Sequence, residues 1–141
     1  MNPNKQQELL DQFKLRHTTC RLDVVAFFLS KKFAIAHIDL EHAFKHQFDR
    51  VTLYRTLKTF LEKGIIRKVL DDEGTPKYAL CPSACAHLHH HHHDHVHFKC
   101  NVCGHTTCVE DIFIPQITLP QGFKVEEKNL LLSGVCPNCS K

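Results

Sequence analysis

Cys100-x-x-Cys103-Gly104 and Cys136-x-x-Cys139 carry the clearest chemistry in the chain. Each CxxC turn presents two thiols. Four such soft donors, about 2.3 Å from a common centre, complete a tetrahedral zinc shell. The glycine after Cys103 allows a tight turn whose amides face the sulfurs. The alternative is four unrelated buried thiols, a rare use of paired CxxC units in a chain that is not exported. Four protein donors leave no open coordination position. The spacing therefore predicts a structural site that staples a domain too small to be comfortable without one.

A second group is Cys81, His95 and His97, with His37 more distant in sequence. On a strand, His95-x-His97 puts both imidazoles on one face. A mixed sulfur and nitrogen donor set suits zinc best among the common divalent ions. The competing reading is a polar, histidine-rich loop. His89–His93 is a run of five histidines and reads as a solvated loop that binds metal weakly. Cys20, Cys85 and Cys108 have no clear partners and default to idle or buried thiols.

A third group lies on one helix. Thr52, Arg55, Lys58 and Thr59 face away from its apolar side and could meet phosphates and base edges in a major groove. Tyr54 stands at the border between the two faces. The bland alternative is a solvated surface.

These residues need elements to position them. Apolar spacing predicts short helices over 5–15, 20–31 and 37–46. Thr18 or Thr19 can cap the second of these, and Ile38, Leu40 and Phe44 are candidate core residues of the third. The best-marked helix spans 49–63. Asp49 suits its N-terminus, Gly64 suits a left-handed C-terminus, and Leu53, Leu57, Phe60 and Leu61 form its buried face. Alternating runs at 65–70 and 76–80, joined by DDEGT, predict a hairpin. Three helices followed by a helix and a hairpin describe a winged helix-turn-helix. Low-complexity CPSACAHLHHHHHDHVH follows, and strand-like runs at 96–100, 105–111 and 124–133 predict a small second domain. Pro115 and Pro120 keep any helix between those runs short. The expected fold class is α+β. Residues 1–82 form the winged-helix domain, 83–95 a histidine-rich hinge, and 96–141 a zinc-stapled α/β dimerisation domain.

The bulk properties fit this division. The chain has 141 residues and a formal net charge of +3. Residues 1–80 hold 14 Lys and Arg against 10 Asp and Glu, and residues 81–141 hold 4 against 5. The basic excess therefore sits in the front half. The polar N-terminus has no apolar signal core, and no apolar run approaches the ~20 residues of a membrane span. A cytoplasmic location with no membrane partner is expected. There, eight cysteines and thirteen histidines point to metal more than to disulfides.

With these motifs in hand, the chain resembles the ferric uptake regulator family. Leu15-Arg16-His17-Thr18-Thr19-Cys20-Arg21 is similar to that family's entry motif. Asp49-Arg50-Val51-Thr52-Leu53-Tyr54-Arg55-Thr56-Leu57 resembles its recognition helix, and His95 to Gly104 resembles its hinge-to-dimerisation signature. The resemblance covers nearly the whole chain in order. It implies a metal-dependent transcriptional repressor that binds palindromic double-stranded operator DNA as a homodimer and controls metal homeostasis. Carried over by position, Arg16 reaches the minor groove, Tyr54 and Arg55 contact DNA from the recognition helix, and Arg21 and Thr52 complete the DNA-binding set. The four paired cysteines match the structural zinc site, and His95 and His97 match the regulatory metal site at the hinge.

Two departures bear on the sensed ion. The usual acidic hinge ligand falls near Ala79, with Cys81 two residues on, where zinc-sensing members tend to place a cysteine. The usual histidine before the third helix falls at Ala34, with His37 nearest. A further family site would need donors where this chain has Asp94, Val96, Pro115 and Lys128, so that site is expected to be missing. The expected regulatory set is His37, Cys81, His95 and His97. Zn2+ is the expected effector, Fe2+ the runner-up, and peroxide sensing a third reading. A zinc enzyme would need an open position and a neighbouring base, and no His-Glu-x-x-His pattern is present. A metal-buffering protein would leave the Tyr54–Arg55 helix without a role.

Overall fold

Thr18 accepts the Arg21 amide at 3.2 Å and so begins α2 (Thr19–Ser30), which follows α1 (Pro3–Gln12). The computed structural model describes residues 3–69, 74–80, 95–109, 112, 114–126 and 128–141. A two-residue strand, β1 (Ile35–Ala36), leads directly into α3 (His37–Ala43), whose start is closed by the Asp39 carboxylate accepting the Ala36 amide at 3.0 Å. Next comes α4 (Arg50–Lys63). Asp49 accepts the Thr52 amide at 2.7 Å at its start, and Gly64 ends it at φ +85°. That φ is left-handed, which glycine adopts without the Cβ penalty.

Leu10, Val24, Val25, Phe28, Leu40, Leu53, Leu57 and Phe60 from the four helices pack into one core with Ile35, Ile65 and Ile66. The wing is β2 (Ile66–Val69) paired antiparallel with β3 (Lys77–Leu80), and β1 pairs with the other edge of β3. The first domain is therefore a four-helix winged helix-turn-helix with a three-stranded sheet.

The second domain has a sheet of its own, in the order β5-β4-β6. Its central strand β4 (His95–Cys100) runs antiparallel to β5 (Thr106–Val109) and parallel to β6 (Asn129–Gly134). Gly134 lies against the Phe98 ring, where a Cβ would come within 3.1 Å of Cζ. Among the described residues this domain has strands and turns and no helix.

Among the described residues, three contacts join the two domains at the edges of their sheets. The Ala34 amide donates to the Thr106 carbonyl at 2.7 Å. The rings of Phe33 and His105 stack with centroids 3.7 Å apart and planes 3° from parallel. Arg67 of β2 donates from its guanidinium to the Cys108 sulfur of β5.

Sequence spacing misplaces some details. Helix 5–15 ends at Gln12, helix 37–46 at Ala43, and the last strand starts at Asn129. Leu61 is exposed and Thr56 takes the buried place on α4. The reason is that the α4 face turns toward α2, where the Thr56 hydroxyl lies 3.3 Å from the Cys20 sulfur and donates to the Thr52 carbonyl at 2.9 Å. A hydroxyl so satisfied is inexpensive to bury. Ile38, a candidate core residue, is more than half exposed.

Candidate metal centres and DNA face

The first centre is built by β4 and β6. Parallel pairing ends at Cys100↔Gly134, so the two CxxC turns leave adjacent strands at the same end of the sheet. The sulfurs of Cys100, Cys103, Cys136 and Cys139 all lie within 4.8 Å of one another, and those of Cys103 and Cys136 are 4.0 Å apart. Sulfurs at the corners of a tetrahedron around zinc are about 3.8 Å apart, given a bond of about 2.3 Å. The cluster therefore fits zinc with little adjustment.

Backbone amides prepare it. Cys103 and Cys136 direct their N–H groups to the Cys100 sulfur at 3.5 and 3.4 Å, and these amides hold that thiol down to about 6. Cys139 is pushed up to about 12, first by its hydrogen bond with Cys136 and then by burial. Cys100 therefore ionises more readily than Cys139. Gly104 at φ +78° closes the first turn, as the sequence requires.

The second candidate site lies where the domains meet, and among the described residues only the four-cysteine group has the spacing of a metal centre. His97 is buried in β4 and pairs across the sheet with Cys108, so the two side chains share a face. Burial, and then the nearby Arg67 charge, depress the His97 imidazole to about 4. It is neutral at physiological pH, as a metal-binding imidazole must be. A cleft of about 210 Å³ opens beside Cys108, lined also by Phe33, Ala34, Ala79 and Leu80 among others. Ala79 and Ala34 are the positions at which the family resemblance loses its usual ligands. Cys108 and Arg67 were not legible as site residues. The signal for Cys108 was its place opposite His97, which needs the strand register.

His37 opens α3. Its Nδ1 lies 3.3 Å from Glu41 Oε1, and its Nε2 is buried with no hydrogen-bond partner among the described residues. A carboxylate on one ring nitrogen with a bare second nitrogen is the posture of a metal-ligating histidine. Cys81, Cys85, His89–His93 and the side chain of His95 lie outside the described residues.

The candidate DNA face is α4 with the turn before α2. Tyr54, Arg55, Thr52 and Lys58 are all exposed on α4. Thr59 is half-buried. Arg16 is exposed before α2, and Arg21 donates from its guanidinium to the Arg16 carbonyl at 3.3 Å, so the two entry-motif arginines are held together.

No helix of the described residues is long and apolar enough to cross a membrane. The model of the ferric uptake regulator family matches residues 12–133. No curated protein matches the sequence. Among solved structures, a zinc uptake regulator complexed with zinc and DNA is 24% identical, with a TM-score of 0.63 over 98% of this chain and 92% of that one. A zinc-bound manganese uptake regulator is 20% identical, with a TM-score of 0.61 over 93% and 98%. The Helicobacter pylori ferric uptake regulator, described as having three functional metal binding sites, is 14% identical, with a TM-score of 0.57 over 100% and 95%. At these identities the structural likeness speaks for the fold. The family match speaks for kinship and covers most of the chain: it belongs to the ferric uptake regulator family of metal-responsive, DNA-binding transcription regulators.

Proposed function

We propose that this regulator is a cytoplasmic, zinc-sensing repressor that works as a homodimer on palindromic operator DNA. The observation that carries the reading is the pair of donors at the domain junction: His97 is buried and neutral, and Cys108 faces it. His37, with a bare and buried Nε2, stands beside Glu41 and Tyr54, and the structure does not bring it to that pair. With Cys81 and His95 from the connecting segment, these donors are imidazoles and thiols. Such a set favours zinc over iron or manganese, which are better served by carboxylates.

The four-cysteine centre is the structural zinc site in this reading, separate from the sensor. Residues 1–82 read DNA, 83–95 act as the hinge and 96–141 dimerise. Exposed Ile117, Leu119, Phe123 and Val125 of the second domain give a second copy an apolar surface to cover. A ligand set drawn from both domains fixes the angle between them. In a dimer that angle sets the separation of the two α4 helices, which must match the half-site spacing. The leverage of the metal equals its differential affinity for the two arrangements.

The test is a gel shift with full-length protein across a free-zinc titration, repeated for Cys81→Ser and His97→Ala. Both variants should need more zinc for the same occupancy. Wild-type zinc dependence in both would place the switch elsewhere. Equal response to Fe2+ and Zn2+ would favour the iron-sensing reading.

A further inference from the structure

Apolar and cationic residues share the outward side of α4. Val51, Tyr54, Arg55 and Lys58 stand at i, i+3, i+4 and i+7, so they form one face, and all four are exposed. Phe60, fully buried in the core, lies about two and a half turns beyond Val51. Val51 therefore points directly away from the core, at the crest of the helix. It is 56% exposed, and Tyr54 and Ile38 of α3 are also more than half exposed. The three share one open hollow of about 600 Å³ with Arg50 and Arg55. Single apolar residues on a surface are ordinary. Three together, flanked by two arginines, suit a partner that is both apolar and anionic. The major groove of duplex DNA is such a partner, with thymine methyls on its floor and phosphates along its edges. Charge along the face says which part enters. The face is cationic as far as Lys58 and ends in Glu62. The N-terminal half is thus the half that a groove lined by phosphates accepts, and recognition helices contact bases from that end.

We propose that Val51 is a specificity residue that packs against the C5 methyl of a thymine in the major groove. The proposal rests on the reading of α4 as the helix that contacts DNA. A valine side chain makes no hydrogen bond to a base edge. It still tells thymine from cytosine, because only thymine carries a methyl there. Contact removes apolar surface of both groups from water, which favours the bound state. Arg55, one turn on, reads its base by hydrogen bonds, and Val51 reads a neighbouring one by shape alone.

The experiment selects sites for the full-length, zinc(II)-loaded protein from a pool of randomised duplex DNA. Each thymine of the best-bound duplex is then replaced in turn by deoxyuridine. Deoxyuridine keeps the base pairing and every hydrogen-bonding group and lacks only the methyl. For wild type, at least one replacement should weaken binding by about fourfold, the value of one buried methyl. Val51→Ala should bind the thymine duplex about fourfold more weakly and treat thymine and deoxyuridine at that position alike. Val51→Thr retains one methyl and should keep part of the preference. Urea melts of Val51→Ala should match wild type, since the residue is exposed and alanine is the better helix former. A full thymine preference in Val51→Ala, with Arg55→Ala impaired, overturns the proposal and assigns the methyl to another side chain. A wild type indifferent to every replacement overturns it as well. Failure of the underlying reading looks different: Arg55→Ala and Val51→Ala would both select the wild-type sites at wild-type affinity. That result removes α4 from the DNA interface, and the proposal with it.

Discussion

Arg67 on the wing and Cys108 on the dimerisation sheet are joined by a hydrogen bond across the domain junction, from guanidinium to sulfur. The same guanidinium lies close enough to His97 to depress its imidazole. A fixed positive charge therefore stands beside two donors that favour a metal cation. Like charges repel most where water is excluded, and Arg67 is almost fully buried. Arg67→Met should then tighten zinc at the junction, by about tenfold or more. Cys108→Ser should weaken it. Competition with a zinc chelator measures both, and unchanged affinity in the two variants would remove Arg67 and Cys108 from the sensor.

His97 gives a pH signature. Its folded value of about 4 lies below the ordinary 6.5. Between those values the unfolded chain binds a proton that the folded chain refuses. Stability is therefore complete above pH 6.5 and declines as pH falls toward 4, by up to about tenfold in the folding constant per pH unit. With junction metal removed, urea melts should show this decline in wild type and a smaller one in His97→Gln.

Cys136→Ser should release the zinc held by the four-cysteine centre and loosen the dimer, because three donors and a hydroxyl bind zinc poorly. Metal content and oligomeric mass measure the two effects. A variant with one zinc retained in this cluster and an intact dimer would contradict the assignment.

Arg55→Ala should lose selectivity between cognate and random DNA, since a base-edge contact is worth ~1–3 kcal/mol. Arg16→Ala should weaken binding to all sequences more evenly. Equal losses on cognate and random DNA for Arg55→Ala would leave it a phosphate contact only.

The parts legible in the sequence are those governed by local spacing. Asp49 and Gly64 bracket α4 because capping and a left-handed terminus are decided within one turn of chain. The four cysteines could be grouped because CxxC is a local turn repeated. The strand β1 was not legible, since two residues carry no periodicity and pair only with distant Tyr78 and Lys77. Leu61 and Thr56 exchanged places because the neighbour that decides them, Cys20, is 36 residues from Thr56. Cys108 and Arg67 are separated by 41 positions, and no motif marks their meeting.

The parallel pairing of β4 with β6 has a consequence for how this domain ages. It brings Cys100 and Cys136 together across 36 residues of chain. A permanent bond closing such a loop would stabilise the fold by roughly 4 kcal/mol through loss of freedom in the opened chain. A zinc ion bound there would supply a comparable tie that a strong chelator or an oxidant can remove. Four thiols held within 4.8 Å of one another would then become two candidate disulfides. Such a metal would act as a protecting group for the cysteines. Once it is lost, oxidation can lock the domain into a form that later zinc cannot refill without a reductant.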